Sequence, residues 1–138
     1  MARDDVLLVA GHAALVLLGA MLAVWGLFLV PLRLFGGVEG LSVLIAVGGN
    51  LGAARLGGFG FGTPLAAAMP GIGWLVTVLL FAGGLSSHAQ DVLLPGKLPP
   101  DPGVVAVGSA FLFGGALAAF AGTIWVGRRA RAAARPSA

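Results

Sequence analysis

Residue types that commonly do chemistry are sparse in this chain, and the richest stretch holds Ser86, Ser87, His88 and Asp91. These supply the letters of a hydrolytic nucleophile, base and orienting acid. Such partners must meet in space, and nearness along the chain does not give that geometry. His88 and Asp91, three apart, also have a spacing that suits metal ligands, but two ligands without a third make a poor site. Gly57-Gly58-Phe59-Gly60-Phe61-Gly62 has the glycine content of a phosphate-binding loop. It lacks the preceding strand, the following lysine and the GxGxxG spacing. It reads instead as a flexible turn whose phenylalanines dip into an interface. Cysteine is absent, which removes disulfides, thiolate metal sites and thiol redox chemistry. The expectation is a chain that is not an enzyme, with no catalytic residue, no cofactor and no metal.

Composition says where such a chain lives. Hydrophobic residues are 59% of the sequence and charged residues only 9%, against roughly 25% charged in an average soluble domain. That is too little charge to wet the surface of a globule, so long charge-free stretches belong in lipid. The expected fold is all-α, a polytopic bundle of four transmembrane helices in a single domain, 1–138. The spans are expected at about 6–30, 37–55, 65–85 and 104–126, with an outer connection at 86–103 and a basic tail at 127–138. Asp4 and Asp5 spoil the basic start of a cleaved signal peptide, so the first stretch stays as a helix. The second span is the least secure. Only about fifteen uncharged residues separate Glu39 from Arg55, short for a crossing unless both ends snorkel, and a re-entrant segment is the alternative. Pro70 lies inside the third span, which either kinks there or begins there at its first turn. Pro95, Pro99, Pro100 and Pro102 make the outer connection stiff and extended.

Four crossings put both termini and the middle turn on one side. That side carries Arg3, Arg55, Arg128, Arg129, Arg131 and Arg135, and the other carries Arg33 and Lys97. The positive-inside bias therefore places the termini in the cytoplasm of a multi-pass cell-membrane protein. A basic tail directly after an apolar span reads as an anchor at anionic headgroups rather than as a nucleic-acid surface. The expected partners are the lipid bilayer and another membrane protein or a second copy, with no nucleic acid.

No charged residue falls near mid-membrane, so the candidate buried polar groups are Thr77 and Ser109, Ser42 nearer an end, and the trio His12, Asn50 and Thr123. Counted from Val6, Arg55 and Gly127, all three lie about 6–9 Å deep at 1.5 Å per residue. One reading joins them as a hydrogen-bonded cluster. The preferred one has Asn50 bonding a neighbouring backbone group while His12 snorkels. On the outer side Arg33 and Glu39 bracket a tight turn and are placed to pair across it, a contact that is worth about 0–1 kcal/mol when exposed. Gly108, Gly115 and Gly122 repeat every seven residues along the fourth span, with Gly114, Ala118 and Gly122 every four. Gly19 and Gly26 do the same in the first span, and Gly48 and Gly52 in the second. Small residues let helix backbones approach closely in lipid, as a tight monomer or, less favoured, as a homodimer seam.

The stretch Met69-Pro70-Gly71-Ile72-Gly73-Trp74-Leu75-Val76 resembles the small-Pro-x-x-Gly-Trp-Leu opening of a span in a family of small actinobacterial membrane proteins of unknown function. The likeness continues through Asp91-Val92-Leu93-Leu94-Pro95-Gly96 and Phe111-Leu112-Phe113-Gly114-Gly115-Ala116-Leu117-Ala118, over the C-terminal half. It implies four spans and a plasma-membrane location, and carries no activity. The function expected is a non-enzymatic accessory or scaffold protein acting through helix packing and its outer loop. The alternative is a small transporter or channel, as a homodimer, although four-span exporters of this size rely on a carboxylate within the first span, and none stands there.

Overall fold

The computed structural model describes residues 3–34, 37–38, 40–85 and 101–133. The chain folds as an all-helical bundle of four long helices, α1 (Arg3–Leu29), α2 (Leu41–Phe61), α3 (Pro64–Leu80) and α4 (Pro102–Ala133). A two-residue antiparallel ladder, β1 (Arg33–Leu34) with β2 (Gly37–Val38), folds the connection between α1 and α2 back on itself. All four helices are long and apolar enough to cross a membrane. At 1.5 Å per residue α2 is about 31 Å long, and the stretch Pro64–Gly83, α3 with the residues that continue it, is about 30 Å, enough for a 30 Å hydrocarbon core. The outward faces carry Leu17, Met21, Trp25, Phe28, Leu44, Phe59, Leu79, Phe113, Leu117 and Phe120, all exposed. In water such a surface would aggregate, and in lipid it is the solvated one. The chain is a multi-pass membrane protein.

The second span departs most from expectation. It begins at Leu41 and ends at Phe61, not at 37 and 55. A charge normally marks the edge of the hydrocarbon, yet α2 continues past Arg55 for six residues. The glycine run Gly57 to Gly60 is therefore helix rather than turn. The turn itself is only Gly62 and Thr63. Gly62 takes the left-handed conformation, φ 67°, that closes a helix at little cost to glycine. Thr63 Oγ1 then accepts from Ala66 N at 3.2 Å, with Pro64 at the first helical position. At 21 residues α2 is long and apolar enough to cross, which removes the shortness that favoured a re-entrant segment.

α3 runs through Pro70 without ending there, so it does not begin at that proline. A π-helical turn, Phe81–Leu85, extends it. α4 outlasts its expected bounds at both ends. Asp101 caps its start, Oδ1 accepting from Gly103 N at 2.8 Å, and its last two turns carry Arg128, Arg129 and Arg131 in helix rather than in a free tail.

α1 and α4 each pack against α2 and α3, and α2 packs against α3, giving a bundle whose short diagonal is α2–α3. The core is Trp74 and Phe111, ring centroids 5.4 Å apart, within Ala23, Leu27, Val30, Ala46 and Val78. Glycines let the backbones meet. A Cβ at Gly19 would stand 2.6 Å from the Pro70 carbonyl carbon, and one at Gly73 would stand 2.8 Å from that of Val16. The α1–α3 seam is thus backbone on backbone, the geometry in which Cα–H···O contacts form. Pro70 has no N–H to offer the Ala66 carbonyl one turn earlier, and Gly57 of α2 closes on that same carbonyl.

Candidate functional site

The structure places His12, Asn50 and Thr123 in three different surroundings. His12 lines a surface groove with Leu65 and Met69 of α3. Its Nδ1 pairs with the Leu8 carbonyl at 2.8 Å, and its ring lies 5.0 Å from that of Phe61. Asn50 is buried and its Nδ2 donates to Ala46 O at 2.8 Å. Thr123 donates to Ala119 O at 3.0 Å and lines a groove between α3 and α4. Each therefore bonds the carbonyl one turn back in its own helix, which is the local alternative to an interhelical bond. Their depths differ too. Gly11 faces Phe61 while Leu22 faces Gly49, so His12 and Asn50 are about ten residues, or about 15 Å, apart along the bundle. Equal depth requires α2 to end at Arg55, and it ends at Phe61.

The glycine stripe of α4 is used inside the chain. Gly108, Gly115 and Gly122 are all buried. Gly115 receives the Trp74 ring, and a Cβ at Gly122 would stand 2.7 Å from that of Ala54. Gly26 likewise receives Phe111. Gly48 and Gly52, by contrast, have nothing within 4 Å. In α2 it is Gly49, Gly57 and Gly58 that pack.

At the end of the bundle bearing the β ladder, Arg33 ion-pairs with Asp101; Glu39, the partner expected across its own turn, lies outside the described residues. Asp101 thereby caps α4 and fastens its start to the α1–α2 connection. His88 and Asp91 lie outside the described residues. Among the described residues no cluster of three metal-ligating side chains occurs.

The other end holds a constellation that spacing alone did not reveal. Arg55 of α2 and Arg129 of α4 both stand over the indole of Trp125, their guanidinium carbons 4.9 and 4.1 Å from its centroid. Such stacking contributes about 0.5–1 kcal/mol per cation at an exposed site. α2 and α4 run parallel here, Gly122 against Ala54 and then Val126 against Gly58, and this register brings residues 55 and 125 side by side. Around them lies an open cleft of about 290 Å³ lined by Gly58, Phe59, Val126, Ala130 and Ala133. Among the described residues neither guanidinium has a carboxylate partner. The one sequence signal was the four-residue spacing of Trp125 and Arg129. Nothing along the chain announced Arg55 as the third member. Comparison with protein-family models, curated proteins and solved structures finds no match to this chain.

Proposed function

We propose that this is a cell-membrane protein with both termini and the Gly62-Thr63 turn in the cytoplasm, working as a non-enzymatic accessory or scaffold protein. The observation that carries this reading is the closed interior. Trp74, Phe111, Val78 and Val30 are wholly buried at the centre, and the polar side chains buried with them, Ser42 and Asn50, carry no charge. Coupled transport needs a titratable group that faces a path through the protein, and His12 instead borders a groove on the outside of the bundle. The proposed orientation is supported by Arg55, Arg128, Arg129 and Arg131 gathering at the end of the Gly62-Thr63 turn, against Arg33 among the described residues at the other end. With the α4 stripe spent on α2 and α3, partner contact falls to the exposed apolar faces and the outer connection. Membership of the small actinobacterial four-span family belongs to the same proposal.

Photo-cross-linking in native membranes tests it, with a photoreactive residue at Leu44, Phe113 or Ser87 and identification of the product by mass spectrometry. A discrete adduct with another membrane protein or a second copy is expected. Absence of any adduct, together with ion or solute flux in liposomes holding the purified protein, would overturn it.

A further inference from the structure

We infer that the cleft between α2 and α4 is a binding site for one anionic phospholipid, whose phosphate is gripped between Arg55 and Arg129. Three observations lead there. The two guanidiniums share the Trp125 ring, so the sum of those short distances caps their separation, and one phosphate with two free oxygens can accept from both forks. Two like charges are held together with no carboxylate between them among the described residues, an arrangement that an anion relieves. The remainder of the lining is apolar, from Phe59, Val126, Ala130 and Ala133, which suits the glycerol and upper acyl carbons of a lipid and not a hydrated ion.

Position favours the same source of phosphate. Arg129 lies level with the end of α2, and Arg55 sits about one and a half turns inside that end, where a long side chain must snorkel toward the headgroups. The indole lies at a depth intermediate between theirs, where tryptophan anchors at an interface. Arg128 and Arg131, on the same turns of α4 but outside the cleft, supply only the diffuse attraction that any basic helix end exerts on anionic lipid. The site differs from them by having a shape. The inference rests on the membrane-spanning fold and is independent of which side the termini occupy and of any partner protein.

Native mass spectrometry of the detergent-solubilised full chain, titrated with phosphatidylglycerol or phosphatidylcholine, tests it. One phosphatidylglycerol should be retained at least tenfold more strongly than phosphatidylcholine. Arg55→Gln with Arg129→Gln should abolish that preference, while Arg128→Gln with Arg131→Gln, the same change in net charge, should leave it within twofold. Arg55→Lys with Arg129→Lys, which keeps charge and loses the planar forks, should retain lipid at an intermediate level. Unfolding midpoints of all variants, taken in parallel, separate lost binding from lost fold. Glycerol 3-phosphate and inorganic phosphate, at millimolar concentration, should neither bind nor displace the lipid. Equal loss in both double glutamine variants, equal retention of the two lipids, or saturable binding of either soluble phosphate would overturn the assignment.

Discussion

Substituting Gly73 by alanine puts one methyl group into the α1–α3 seam, and the structure sets what it should cost. The new Cβ would stand 2.8 Å from the Val16 carbonyl carbon and 3.0 Å from its Cα, whereas carbon atoms pack at about 3.5–4.0 Å. The obstacle is the backbone of α1, which has no rotamer to change, and the Val16 carbonyl oxygen lies nearer still than its carbons, so the two helices must part locally by more than the roughly 0.5–1 Å missing at the carbons. Overpacking of this kind costs about 1–3 kcal/mol. Loss of the close Cα–H···O approach adds about 0.5–1 kcal/mol, and alanine's better helix propensity returns about 0.5–1 kcal/mol. The net expectation is destabilisation by about 1–3 kcal/mol. Gly48→Ala is the matched control. Nothing lies within 4 Å of its added methyl, so only the propensity term remains, and the bundle should gain up to about 1 kcal/mol. Reversible unfolding in mixed dodecyl maltoside and SDS micelles, followed by tryptophan fluorescence, measures both. The signs should be opposite. Equal shifts in the same direction would refute the seam as described.

His12→Ala and Asn50→Ala should be additive in the same assay, with a coupling energy within about 0.5 kcal/mol, because the two side chains bond separate helices about 15 Å apart; a coupling above 1 kcal/mol would restore an interhelical cluster. Asp101→Ala should cost about 1–2 kcal/mol, through a lost helix cap of about 1 kcal/mol and a partly exposed ion pair of about 0–1 kcal/mol. Asp101→Asn should recover most of the cap and lose the salt sensitivity, as denaturation at low and high ionic strength would show. Gly62→Ala, forced into the left-handed conformation at φ 67°, should destabilise the α2–α3 turn by about 1–2 kcal/mol, read as a lower unfolding midpoint with an unchanged cooperative transition.

The four-helix architecture was legible because hydrophobic stretches and lipid thickness decide it with little help from tertiary detail. The ends of the helices were less so. Arg55 was read as a boundary since charge usually is one, and only a partner on another helix, Trp125, shows why it sits inside. The same cause hid the cleft: residues 55 and 125 are brought together by the parallel register of α2 and α4, which no single span encodes. Gly48 and Gly52 looked like packing residues on spacing alone, but spacing does not say which stripe of a helix faces inward when both stripes are small. The cap at Asp101 escapes a reading that counts Pro102 with the extended connection and starts the span at 104, although Asp-Pro-Gly before an apolar run is a helix start. Its ion pair with Arg33 was not legible, because it joins residues 68 apart.

The proposed topology can be measured directly, because a chain without cysteine accepts single cysteines with no background to remove. Four crossings with cytoplasmic termini predict that, in intact cells, a membrane-impermeant maleimide labels Gly40→Cys and Ser87→Cys. Ala133→Cys and Ser137→Cys should react only after lysis. Labelling of Ala133→Cys or Ser137→Cys in intact cells, or opposite behaviour of Gly40→Cys and Ser87→Cys, would contradict the account.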